Sequence, residues 1–358
     1  MHKKLFIPGP TEVRAEVLEK MATPMIGHRT KDASALQRRI SDNARKLFYT
    51  NSEILLSTSS GTGLMEGAIR CGTAKRAAVF SVGSFGERWY EMAKVNGVDA
   101  DLFEAESGHH TDPQLVKEVL STGKYDLVTV THNETSVGLT NPCAEIGEVL
   151  KDFPDVLYCI DAVSSAGGSK IEVDKWGVDV AVTSTQKCLA LPSGMSLFTF
   201  SEKAVERAKT VKNRGYYLDL LQLYNFIQKK DYQYPSTPSL SHMFALDYEL
   251  DYIINTEGLE NRFARHKEMA DYIRSWAKEY FAIYPEEEYA SNTVSCIANT
   301  REISVGDLRK ALNERGYEIS DGYGDLKGKT FRIATMGDLT LQDMKDVTDN
   351  INDILGLK

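Results

Sequence analysis

An α/β fold built on a largely parallel sheet is what this sequence predicts, and three observations predict it. From about residue 50 to residue 200, short apolar runs alternate with helical patterns. The apolar runs are continuous rather than alternating, as strands covered on both faces require. The helical stretches between them supply the crossovers that parallel strands need.

The elements follow in order. Glu53 to Leu56 reads as a strand, then SSGTG and a helix, LMEGAIRC. Ala77 to Phe80 is a second strand, followed by GSFG and the helix ERWYEMAKV. Further strands are read at Tyr125 to Val130, Val156 to Ile160, Val178 to Val182 and Met195 to Phe200. Residues 202–256 are helical or irregular, with a loop YQYPSTPSLSH and a helix from near Ser239 to Asn255. A charged helix follows from Leu259. Beyond about residue 290 the pattern changes to strand (Thr293 to Ile297), helix (VGDLRKALNERG), strand (Thr330 to Ala334) and helix (LQDMKDVTDNINDIL), a compact α+β unit. A chain of 358 residues exceeds one ordinary core. The expected division is an N-terminal segment 1–16, a large domain 17–255 and a small C-terminal domain 256–358.

The formal net charge of -9 argues against nucleic acid or an anionic membrane as partner. The five cysteines form no C-x-x-C pair, which argues for a reducing compartment and against a structural zinc site. The opening MHKKLFIPGPTEV meets Pro-Gly-Pro after three apolar residues, too soon for a signal peptide, and no apolar run is long enough to cross a bilayer. A cytoplasmic location is expected. His109-His110 has no third ligand at useful spacing, so no metal site is expected.

In open parallel sheets ligands bind beyond the carboxyl ends of the strands. What stands there is informative. After the first strand come Ser60, Gly61 and Thr62 before a helix, a loop that offers backbone N–H groups, hydroxyls and a positive helix end to a phosphate. Phe85 follows the second strand, Thr135 the third, Asp161 the fourth, and Gln186 and Lys187 the fifth. Each is ordinary alone: a capped turn, a loop acid, a solvated lysine. Together they match the inventory of a pyridoxal-phosphate site. A lysine meets the aldehyde, an acid holds the pyridinium nitrogen, a helix end takes the phosphate and an aromatic covers the ring. The lysine must be neutral to act, which requires desolvation or nearby positive charge.

With these residues assembled, the sequence resembles the class V pyridoxal-phosphate-dependent aminotransferases, and within them the alanine–glyoxylate and serine–glyoxylate (serine–pyruvate) branch. The ordered set SSGTG, GSFGERW, THNETSVG, IDAVSSAGG, TSTQK, LPSG and FRIATMGD carries the resemblance across nearly the whole chain. It implies a fold-type I transferase, with a mostly parallel seven-stranded sheet in the large domain and a smaller C-terminal α+β domain. It implies that Lys187 links covalently to the cofactor, that Asp161 pairs with the pyridine nitrogen, and that Val163 and Phe85 cover the two ring faces. Thr135 should reach the ring hydroxyl, and Ser60, Gly61, Thr62 and Gln186 the phosphate. Tyr234 and Thr237 resemble residues that reach the phosphate of a neighbouring subunit, which implies a homodimer with active sites at the interface. Arg332 matches the arginine for the substrate α-carboxylate, and Gly27 and His28 the segment lining the substrate entrance.

Two departures bear on substrate. Val137 stands where relatives usually have Thr, and Ala334-Thr335 where many have Gly-His. The expected reaction moves an amino group from serine or alanine to a 2-oxo acid such as glyoxylate or pyruvate. Phosphoserine or aspartate as donor is the alternative, with Arg29 or His28 as the extra cation. A cysteine desulfurase reading expects a His on the ring and a His before the lysine, where Phe85 and Gln186 stand.

Overall fold

Seven strands form the larger sheet of the computed structural model, which describes residues 2–357. In chain order they are β1 (Glu53–Ser57), β2 (Ala77–Ser81), β3 (Ala100–Glu104), β4 (Leu127–Thr131), β5 (Leu157–Asp161), β6 (Val180–Ser184) and β7 (Ser196–Phe200). Their spatial order is β1-β7-β6-β5-β4-β2-β3. Only β7 runs antiparallel to its neighbours. The fold is thus α/β, with a mostly parallel seven-stranded sheet.

The six apolar runs are strands, with bounds moved by a residue or two. The seventh, β3, escaped the sequence reading for a physical reason. It is the edge strand, with Leu102 and Phe103 half-buried and Glu104 exposed, so Asp101 and Glu104 interrupt its apolar run.

Two cores flank the sheet, and the pleat sorts side chains between them. Ile54, Leu56, Phe80, Val130 and Ile160 join one cluster with the helices Lys31–Leu47 and Leu240–Asp251. Leu55, Val79, Leu127, Cys159 and Val182 face the other, beneath two helices that matter below, α1 (Gly61–Gly72) and α2 (Ser84–Val95). This period of two is what a sheet covered on both faces imposes.

A second sheet of five strands has its own core around Trp276, Phe281 and Phe331. Its order is Lys4–Phe6, Tyr317–Asp321, Thr330–Ala334, Val294–Ala298, Ala282–Ile283. The first strand of the chain therefore pairs, in parallel, with a strand near its end. That pairing returns Pro8-Gly9-Pro10 to the large sheet, where they meet Lys187. The expected helix to Asn255 runs from Leu240 to Asp251 and then widens into a π-helical turn, Tyr252–Glu257.

Candidate active site

The carboxyl ends of β5 and β6 and the first turns of α1 and α2 converge on one cavity. Nine residues expected from the sequence line it: Ser60, Gly61, Thr62, Phe85, Thr135, Asp161, Val163, Gln186 and Lys187. A larger open hollow between the helices 31–47 and 240–251 contains none of them.

Lys187 stands three residues beyond β6, and the N-terminal segment holds it from outside. Its amine donates to the Pro8 carbonyl. Gly9, at φ +90°, lies so close that a Cβ there would fall 2.6 Å from Lys187 Cδ, so only glycine fits. Thr11 donates its N–H to Gln186 O at 3.2 Å and its hydroxyl to Lys187 O at 3.0 Å. Burial pulls the Lys187 amine down to about 8, and the nearby Arg332 and Arg88 push the same way. A substantial fraction is then neutral near physiological pH, the form that can attack a carbonyl.

Asp161 ends β5. Its Oδ1 accepts the Val163 N–H at 2.8 Å, while Oδ2 has no partner among the described residues. Burial raises this carboxyl to about 7, with Glu134 adding to the rise and Lys187 opposing it. A protonated ring nitrogen at Oδ2 would reverse that shift, as a single opposite charge in a desolvated site does. His132 supports the strand end: its N–H donates to Asp161 O at 2.9 Å and its Nδ1 lies 2.8 Å from Ser165 Oγ. Burial lowers this imidazole to about 4, so it stays neutral.

The helix end fits an anion. The Ser60 side chain makes no capping bond, so the first N–H groups of α1 are not claimed by it. Ser184 Oγ and Gln186 Oε1 are buried without hydrogen-bond partners. Rotation of the Gln186 amide about its last bond presents a donor instead. A Cβ on Gly61 would fall 2.4 Å from Val163 Cγ2, so the backbone here can come close to a ligand only as glycine. These unpartnered donors beside a lowered lysine and a buried acid fit pyridoxal phosphate.

Three comparisons agree with this geometry. The profile of the family described as Aminotransferase class-V matches residues 5–325. The chain belongs to the class-V aminotransferases. It is 41% identical to an uncharacterized aminotransferase of Methanocaldococcus jannaschii, over 94% of this chain and 88% of that one. It is 31% identical to an L-aspartate–glyoxylate aminotransferase of Paracoccus denitrificans, over 94% and 87%. The crystal structure of an alanine–glyoxylate aminotransferase from Nostoc sp. superposes with a TM-score of 0.93 at 27% identity, covering 99% of this chain and 96% of the other.

Arg332 of this aminotransferase lies just outside the cavity lining. It is buried on the strand Thr330–Ala334, donating Nε to Asp321 O and Nη1 to Thr135 O, each at 3.1 Å. Its Nη2 has no partner among the described residues. Val137, the first departure, packs with Val82 and Leu139. Thr335, in the second, donates its hydroxyl to Asn292 O at 2.9 Å.

Besides Arg332, four expected residues do not line the cavity of the single chain. The Tyr234 hydroxyl accepts the Thr58 N–H at 3.1 Å, and Thr237 is exposed. Gly27 is exposed and His28 half-buried. Arg29 binds the carbonyls of Tyr234 and Pro235, so the segment 27–29 and the YPST loop form one surface.

Three supporting residues of the aminotransferase were not read from sequence. Glu134 is fully buried and accepts the N–H groups of Phe85 and Gly86, at 3.1 and 2.9 Å. Arg88 lines the cavity one helical turn beyond Phe85, with its guanidinium 4.6 Å from that ring's centroid. Arg262, fully buried, donates to Cys188 O at 2.7 Å and Gly167 O at 3.0 Å from the helix Leu259–Tyr280. The i, i+3 spacing of Phe85 and Arg88 was a usable signal. Nothing local marks the roles of Glu134 and Arg262 at the site, because Phe85, Gly86, Gly167 and Cys188, which they hold there, are distant in sequence.

Proposed function

We propose that this aminotransferase uses pyridoxal phosphate to move the amino group of a small neutral amino acid, alanine or serine, to glyoxylate or another short 2-oxo acid. The observation that carries this reading is the pairing of Asp161 and Lys187 at adjacent strand ends. A buried carboxyl with a free Oδ2 and an amine lowered to about 8 line the same cavity as the anion-ready end of α1. When bound, the cofactor supplies an electron sink that lets an amino acid lose its α-proton.

Lys187 links the cofactor and, once displaced by the incoming amine, moves the proton at Cα as base and then acid. Asp161 keeps the ring nitrogen protonated. Phe85 and Val163 sandwich the ring, Thr135 meets its hydroxyl, and Ser60, Gly61, Thr62 and Gln186 hold the phosphate. Arg332 takes the α-carboxylate with its free donors in a bidentate pair. Tyr234 and Thr237, in the surface shared with Gly27 and His28, complete the site of a second copy in a homodimer. The five buried free cysteines suit a reducing compartment such as the cytoplasm. No helix among the described residues is long and apolar enough to cross a membrane.

A neutral donor is preferred because Arg29, one of the two cations suggested for an acidic donor alongside His28, is committed to two backbone carbonyls. Aspartate is the second reading, supported by the Paracoccus relative and by Arg88 in the cavity wall.

The test adds single amino acids to holoprotein without an oxo acid. Alanine or serine should bleach the visible band of the bound cofactor, and glyoxylate should restore it. Bleaching by aspartate but not by alanine or serine would reverse the order of the two readings.

A further inference from the structure

Tyr323 is a partly exposed aromatic residue beside Phe85 and Arg332, and no role described so far uses it. It is 37% exposed, one of few large apolar side chains in that position. Its ring centroid lies 5.5 Å from that of Phe85, with the planes tilted by 38°. The Arg332 guanidinium lies 5.4 Å from its ring centroid. Tyr323 therefore spans the distance between the residue read as covering the cofactor ring and the residue read as binding the substrate carboxylate. Its hydroxyl makes no hydrogen bond among the described residues.

The turn that carries it is firmly built. Asp321 Oδ1 accepts the N–H groups of Gly322 and Gly328, at 2.7 and 2.8 Å, and so closes the turn at both ends. Leu326 donates its N–H to Tyr323 O at 3.0 Å and packs against Val82, Val137 and Leu139, close to the start of α2. The same Asp321 accepts Arg332 Nε through its carbonyl at 3.1 Å. One short turn thus fixes the positions of Tyr323 and Arg332 relative to each other and to Phe85.

We propose that Tyr323 is a specificity-determining residue of the amino-acid site. Its ring is the wall beside the carboxylate-binding arginine. It has two consequences. The ring face shields the ion pair between Arg332 and the α-carboxylate from water, and the lower local dielectric strengthens that pair. It also stands where a long side chain on Cα would extend, so it favours donors the size of alanine or serine. The inference rests on the reading of Arg332 as the carboxylate's partner and names what limits the side chain at that site.

The experiment measures steady-state constants for a panel of donors with rising side-chain length (alanine, serine, 2-aminobutyrate, methionine) with glyoxylate as acceptor. It compares wild type, Tyr323→Ala and Tyr323→Leu, all as holoenzyme. Opening a partly desolvated ion pair to water corresponds to about tenfold in affinity. Tyr323→Ala should raise KM for alanine and serine by about that factor while kcat stays within about threefold. Methionine should gain relative to alanine. Tyr323→Leu, which keeps apolar bulk, should raise KM similarly but gain less for methionine. Cofactor affinity, read from visible absorbance, should not change in either variant. If wild type uses the panel and both variants keep its KM values and its ranking, the inference fails while the proposed function stands. If wild type uses no member of the panel, the proposed function fails and takes the inference with it.

Discussion

The carboxylate of Glu134 accepts the backbone N–H of Phe85 at 3.1 Å, from a position with no solvent exposure. The same Oε2 accepts Gly86 N–H at 2.9 Å, and Oε1 accepts Ser136 N–H at 3.1 Å. Burial pushes this carboxyl up, and the hydrogen bonds from Ser136, Gly86 and Phe85 oppose it. Glu134 thereby closes the start of α2 and aims Phe85. Glu134→Gln turns an amide donor toward groups that are themselves donors. We expect about 1–3 kcal/mol of lost stability and cofactor bound about tenfold more weakly, because the ring cover is no longer held. Titration of cofactor-free protein with cofactor, read by absorbance, checks it. Unchanged cofactor affinity would mean that Glu134 does not position Phe85.

Lys187→Ala should bind cofactor without a covalent link and fail to convert amino acids in the half-reaction. In the proposed site other residues hold the phosphate and ring, so binding should persist. Spectral titration separates the two effects, and turnover by this variant would refute the role given to Lys187.

If Arg332 binds the substrate carboxylate as proposed, Arg332→Gln removes a charge-assisted, largely desolvated pair. A loss of about 2–5 kcal/mol is typical for such a truncation, so kcat/KM for alanine should fall by at least about thirtyfold. The resting variant should still bind cofactor and show a visible band, because the nine residues that line the cavity are unchanged. An unaltered kcat/KM would place the carboxylate elsewhere.

The cofactor-free protein should show a specific pH dependence. Asp161 is raised from 3.8 to about 7 by burial. A folded state that holds this proton more tightly is favoured fully below about pH 4 and loses that advantage as pH rises through about 7. The Tm of cofactor-free wild type should therefore fall across this window relative to Asp161→Asn, and saturating cofactor should narrow the gap. Lys187 is lowered to about 8, so covalent reattachment of cofactor should speed up as pH rises toward and past that value. Melting curves for wild type and Asp161→Asn that run parallel from about pH 4 to 7 would contradict the raised carboxyl.

Much of the large sheet was legible because buried parallel strands leave continuous apolar runs, and the ligand end of each run could be read directly. Val180–Ser184 followed by Gln186 and Lys187 is such a case. What escaped was what burial does not mark. The edge strand Ala100–Glu104 carries Asp101 and Glu104, so its pattern breaks. The strand Lys4–Phe6 has only three residues and gains its partner from residue 317 onward, a pairing that no local pattern reveals. For the same reason the approach of Pro8 to Lys187 was invisible. The seven ordered motifs located the cavity residues, but the hold of Glu134 on Phe85 and of Arg262 on Cys188 spans long sequence separations. The spatial link between Tyr323, Phe85 and Arg332 likewise exists only in the folded chain.

All of the proposed chemistry depends on Lys187 holding the cofactor covalently. Borohydride reduction of the holoenzyme, followed by digestion and mass spectrometry, is the sharpest test of that assignment. A stable pyridoxyl adduct is expected on the peptide containing Thr185-Gln186-Lys187, and it should be abolished in Lys187→Ala. An adduct on a different lysine, or none on protein reconstituted with cofactor, would contradict the assignment.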